Sequence, residues 1–254
     1  MMAGGKVSKG GLAAIAVGSL AAIGGLGWWA GSDFAAPDPI ASPSPAPSVL
    51  KAPPDPIAGL AAAERAAFPE GMAAQTDAGS RIEYQQGTLV DAPFGPVLVN
   101  EGRVANAAHV DPGYVAVHYL RRAGAGFEVA KAYPQAVKVG SFGQMAEMAV
   151  SPKFSDLPVV YAEGGGTWQG YTCGWTTLTE LRPEGPVELV TFMDSYSNEG
   201  AEGGDATEGK IADIVPGRSF KVRFTGTRPF VATYVRRGNK YELEGGEANA
   251  LQGC

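Results

Sequence analysis

Residues 159–181, VVYAEGGGTWQGYTCGWTTLTEL, decide the fold class. Val159, Val160 and Tyr161 are β-branched and aromatic, the side chains that pack well on a pleated surface. Gly164, Gly165 and Gly166 tolerate the positive φ of a tight turn, so the stretch predicts strand, glycine turn, strand. Beyond that turn, alternation puts Tyr171, Cys173 and Trp175 on one face and Thr172, Gly174 and Thr176 on the other. An aromatic face of this kind belongs to the core of an antiparallel sheet, and its Trp168, Tyr171 and Trp175 are also candidate binding residues.

Working outward, strand patterns dominate from residue 81 onward. Segments 96–99, 114–121, 127–131, 136–139, 187–193, 219–225, 229–236 and 241–243 all read as strands. The clearest is 219–225, SFKVRFT, where Phe220, Val222 and Phe224 face in and Lys221 and Arg223 face out. Gly238-Asn239 is a two-residue hairpin signal. Residues 115–129 and 231–243 share an order: Val-Ala, Tyr, a double Arg, a Gly turn, then aromatic-Glu. Duplication and convergence of two well-made hairpins both account for it. Two helices are expected. One starts at Asp55-Pro56, an N-cap followed by Pro, and ends at Pro69 and Gly71. The other spans 141–150, where Ser141 and Gln144 match a capping box. The expected class is therefore mainly β, an antiparallel sandwich or partly open barrel with one or two short helices.

The N-terminal part has a different character. Residues 1–10 carry Lys6 and Lys9 and no acid. Residues 11–30 carry no charge and end in Trp28 and Trp29, a length and boundary suited to a transmembrane anchor. A cleaved signal peptide fits less well, because a cut near Ala30 or Ala35 would place Trp28, Trp29 or Asp33 at the −3 position, where small residues are needed. The lysines before the span predict a cytoplasmic N-terminus and a periplasmic or extracellular remainder. Residues 31–56 are Pro-rich and read as an extended linker. Residues 57–80 form a short helix and connection, and 81–254 the β domain.

Composition limits the function. The net charge of −6 offers no basic field for nucleic acid. Two Cys and two His cannot supply the usual four ligands of a structural zinc, and no cofactor motif is present: after Gly164 and Gly166 a dinucleotide fingerprint needs glycine where Gln169 stands. His109 with Asp111 could form the base and orienting half of a hydrolytic triad, and Cys173 could serve as a nucleophile. No G-x-S-x-G elbow accompanies them. Asp194, Asn198, Glu199 and Asp205 are weak calcium candidates, since Tyr196 and Glu199 stand where a calcium loop wants a ligand and a glycine. Cys173 and Cys254, outside the cytoplasm, are candidates for a disulfide. The sequence thus predicts a membrane-tethered β domain of the cell envelope, non-enzymatic, that binds an envelope protein or wall component. The competing reading is an anchored hydrolase using His109 and Asp111 or Cys173.

Overall fold

Residues 56–201 and 203–246 are described by the computed structural model. The expected anchor at 11–30, nearly all of the linker at 31–56 and Cys254 lie outside them. Among the described residues, no helix is long and apolar enough to cross a membrane.

The described residues begin with α1 (Pro56–Ala67) and continue through fourteen antiparallel strands in two sheets. The first sheet holds β1 (Ala73–Gln75), β2 (Arg81–Tyr84), β3 (Thr88–Ala92), β4 (Gly95–Val104), β5 (Gly113–Ala123) and β6 (Gly126–Val139). One edge of β4 is shared: β3 pairs with its first half and β2 with its second. On its other edge lies β5, buried without interruption from Gly113 to Leu120. A strand buried on both faces loses the polar alternation of a one-sided strand. Its covers are α1 and the residue after it, through Leu60, Ala63 and Phe68 packed with Leu98 and Leu120, and the second sheet, through Val160, Ala162 and Leu181 packed with Val115 and Val117.

The second sheet is a meander of β7 (Glu147–Ser151), β8 (Val159–Trp168), β9 (Tyr171–Arg182), β10 (Gly185–Ser197), β11 (Ala206–Val215), β12 (Ser219–Gly226), β13 (Phe230–Arg237) and β14 (Lys240–Gly245). It curls into a half-barrel, so Phe220, Val222 and Phe224 of β12 return over Val159, Leu178 and Leu189. The curl is clamped across the core. Glu180 of β9 receives Arg182 at 2.6 Å and Arg236 of β13 at 3.2 Å, with all three side chains largely buried. Burial pushes the Glu180 carboxyl up, but the hydrogen bonds from Arg236 and Arg182 outweigh it and hold the group below the usual carboxylate range.

Two local expectations are corrected. Gly164, Gly165 and Gly166 are not a turn; they lie inside β8, and the hairpin turns at Gln169-Gly170, with φ of 52° and 88°. The glycines are needed for close approach instead. A Cβ on Gly164 would lie 2.7 Å from the Gly140 Cα, and one on Gly165 would lie 2.1 Å from the Cys173 carbonyl oxygen. Nor is 141–150 a helix. Ser141 to Gln144 form a tight turn through Phe142 and Gly143, and β7 follows on the edge of β8. The Ser141 hydroxyl, expected to cap a helix, donates to the Gly165 carbonyl at 2.7 Å, so a tertiary bond replaces the local one.

The two look-alike segments do both form hairpins, β5–β6 and β13–β14. In each an Arg lies over the aromatic ring opposite it, Arg122 on Phe127 at 5.5 Å and Arg236 on Tyr241 at 5.3 Å. The stacked Arg is the second of its pair in one hairpin and the first in the other, so the two hairpins share the cation–π contact but not its place in the common order.

Candidate functional site

The two histidines do not assemble a catalytic set. His109 sits in the β4–β5 loop between Phe142 and Trp168, with near-parallel rings 4.4 and 5.3 Å away. Its Nε2 is buried without a hydrogen-bond partner. Asp111 does not orient it; one Asp111 carboxylate oxygen accepts from the Ala108 amide at 2.7 Å. His118 is 4% exposed on β5, with Phe68, just after α1, edge-on at 4.8 Å. Cys173 is fully buried and disulfide-bonded, so it offers no thiolate. The expected pairing of Cys173 with Cys254 involves a residue outside those described.

Of the aromatic candidates, Trp168 and Trp175 meet edge to face at 5.9 Å and extend the stack begun by Phe142 and His109. Tyr171 belongs elsewhere, beside Tyr196 at 6.5 Å. The calcium candidates are dispersed. Asn198 organises its own loop, its side-chain oxygen accepting from the Asp205 amide at 2.9 Å, while the Asp205 carboxylate meets Arg228 at 3.3 Å. Glu199 lies by Ser197, and Asp194 points elsewhere. Among the described residues no three His, Cys, Asp or Glu are grouped to hold a metal ion.

Asp194 leads to the site that sequence reading missed. Strands β10 and β11 pair only at Ser195–Glu208, Tyr196–Thr207 and Ser197–Ala206, and then part. β10 continues alongside β9 and β11 alongside β12, and an open cleft of about 810 Å³ lies where they separate. One wall is a row across the sheet: Glu147 stands directly opposite Glu163, and Glu163 opposite Thr176. The Tyr161 hydroxyl donates to Glu163, and the Thr176 hydroxyl donates to Asp194 at 2.5 Å. Gly174 makes room for this carboxylate, since a Cβ there would lie 2.5 Å from an Asp194 oxygen. The other wall carries Glu208 and Lys210, which neutralise each other at 3.3 Å.

Electrostatically the cleft is unbalanced. None of Glu147, Glu163 and Asp194 forms an ion pair among the described residues. Asp194 is 6% exposed; burial raises its pKa above the usual carboxylate value, and the neighbouring Glu163 charge adds to the rise despite the Thr176 hydrogen bond. Burial likewise pushes the Tyr161 phenol up, reinforced by Glu163. Like charges directly opposite on adjacent strands destabilise a sheet, so an uncompensated row of acids marks a place suited to a cation.

Comparison with family models, curated proteins and solved structures finds no match. Function therefore has to be argued from this geometry. No local motif announced the cleft, because Glu147, Glu163, Thr176 and Asp194 come from four strands and meet only through register. The one available signal was Glu163 itself, a charge on the same face of its strand as the apolar Val159 and Tyr161.

Proposed function

We propose that the chain is a membrane-tethered, extracytoplasmic β domain of the cell envelope that binds a ligand or partner without catalysis, and that the ligand seats in the cleft between β10 and β11. The observation that carries this reading is the parting of the two strands beside Glu147, Glu163 and Asp194, an open space of about 810 Å³ in which these three acids have no ion-pair partner among the described residues. Supporting the tether are the uncharged run at 11–30, with lysines before it and tryptophans at its end, and the Pro-rich residues that follow. A linker of that kind raises the effective concentration of the domain near the membrane. A disulfide-bonded Cys173 suits an oxidising compartment. The anchored-hydrolase alternative is weakened because Asp111 does not orient His109 and Cys173 is disulfide-bonded.

The test is site-specific photo-crosslinking in cells of the full-length chain. A photoreactive side chain replaces Thr225 on the rim of the cleft or, as a control, exposed Arg81 on β2. The expected result is a discrete adduct from position 225 that is lost in the Glu163→Gln, Asp194→Asn double variant and absent from position 81. A folded, membrane-localised chain that captures nothing from the cleft would reject it as the binding seat.

A further inference from the structure

The acidic cleft has an apolar neighbour. A second cavity, of about 380 Å³, lies between β10 and the inner face of β12–β14, lined among others by Val190, Met193, Phe230, Tyr234 and Leu243. Phe192 lines both spaces; it stands opposite Thr176 in the row that carries Glu163, and its ring packs on Phe220 and Tyr234. Protein interiors normally fill to crystal-like density, so an apolar space left open at the mouth of a curled sheet is suited to a ligand's apolar surface.

We propose that the two cavities share one ligand, a free hydrophobic amine, its ammonium among Glu147, Glu163 and Asp194 and its aliphatic or aromatic body in the chamber beyond Phe192. The inference rests on the reading of the cleft as the binding seat and adds the ligand class. Charge selects the head. Three acids without cations attract an ammonium and repel a carboxylate, while Lys210 is already matched by Glu208. A bare metal ion is a poorer fit, because it needs three or more oxygens within coordination reach at once and no three ligand residues are grouped that closely among those described, whereas an ammonium needs direct contact with only one or two of the acids. The lining selects the body. Apart from Thr191 and the hydroxyls of Tyr234 and Tyr241, the side chains lining the chamber are aliphatic or aromatic, and a small polyamine with charges along its length would have to strip water from a cation there.

Equilibrium dialysis of the full-length chain in detergent, with detergent alone as blank, tests both halves with n-octylamine, n-butylamine, n-octanol and n-octanoate. The expected result is that octylamine binds at least tenfold more tightly than butylamine or octanoate. Glu163→Gln with Asp194→Asn should erase its advantage over octanol, and Leu243→Trp, which narrows the chamber, should erase its advantage over butylamine. Equal binding of octylamine and octanoate would overturn the role of charge. Equal binding of butylamine and octylamine would overturn the role of the chamber, and absence of binding by any of the four would overturn both. Displacement of octylamine by phosphatidylethanolamine vesicles, but not by further free amine, would overturn the assignment to a free molecule. If these probes fail while crosslinking from position 225 succeeds, the ligand class is wrong and the seat stands; failure of both removes the seat.

Discussion

Replacing His118 by Phe should change how the domain responds to acid. His118 lies on β5 opposite Leu98 and Ala132, beneath Phe68, and its Nδ1 has no hydrogen-bond partner. Burial pushes its pKa down from 6.5 to about 4. In the unfolded chain the imidazole takes a proton near its ordinary value, while in the folded chain it stays neutral until much lower pH. Its contribution to stability is therefore complete above pH 6.5 and is lost as the pH falls from there toward 4. With those two values, linkage gives a loss of about 2.5 kcal/mol between pH 7 and pH 4.5 from this residue alone. Phe keeps a ring against Phe68 and removes both the proton site and the unpaired nitrogen. Whatever the variant gains or loses by packing is the same at both pH values, so the informative quantity is the change in the difference between variant and wild type. Urea unfolding followed by far-UV circular dichroism at pH 7 and pH 4.5 measures it. The difference should move by about 2.5 kcal/mol in favour of His118→Phe at the lower pH. Equal losses in the two proteins would refute the argument and place His118 in contact with water or a hidden partner.

Four other substitutions probe the frame around the cleft. Glu180→Ala leaves Arg236 and Arg182 largely buried without their anion, and should cost about 3–5 kcal/mol in urea unfolding at pH 7. Because Glu180 is held below its ordinary pKa, its contribution should fade as the pH drops below the ordinary glutamate range, narrowing the gap to wild type. Gly165→Ala drives a methyl group into the Cys173 carbonyl and should lose about 3 kcal/mol, whereas Gly126→Ala, with nothing nearer than 3.9 Å to the new carbon, should melt close to wild type. Gln169 holds φ of 52° in the β8–β9 hairpin, so Gln169→Asn should raise the melting temperature by an amount equivalent to about 0.5–1 kcal/mol in calorimetry.

Much of the fold was legible in the residues. The alternation in SFKVRFT placed Phe220, Val222 and Phe224 in a core, and they lie in the one that fills the half-barrel. The Pro56 start and the Pro69-Gly71 stop bracket α1, the N-cap expected at Asp55 lying outside the described residues, and Gly238-Asn239 marks a hairpin turn. These succeed because each depends on periodicity or backbone restriction within a few residues. The triple glycine and the capping box at Ser141 misled for the opposite reason. In both, the deciding contact comes from a distant segment: Gly140 against Gly164, and the Ser141 hydroxyl on the Gly165 carbonyl.

The candidate site divides in the same way. Trp168 and Trp175 could be picked out as an aromatic feature of one hairpin, but the stack of Trp168 on His109, and of His109 on Phe142, needed the β4–β5 loop and the Ser141–Gln144 turn to converge on that hairpin. Asp194 could be noticed as an acid; that it is buried, bound to Thr176 and raised in pKa beside Glu163 follows from strand register. By itself, the amino-acid order determined that the chain has an uncharged N-terminal run, a Pro-rich stretch, one early helix and a strand-rich remainder, because hydropathy and φ preference act locally. Only the tertiary structure decided that β10 and β11 part after three residue pairs, and that an acidic cleft and an apolar chamber meet at Phe192. Those features depend on sheet curvature, which sums the twist and packing of eight strands and is written in no single segment.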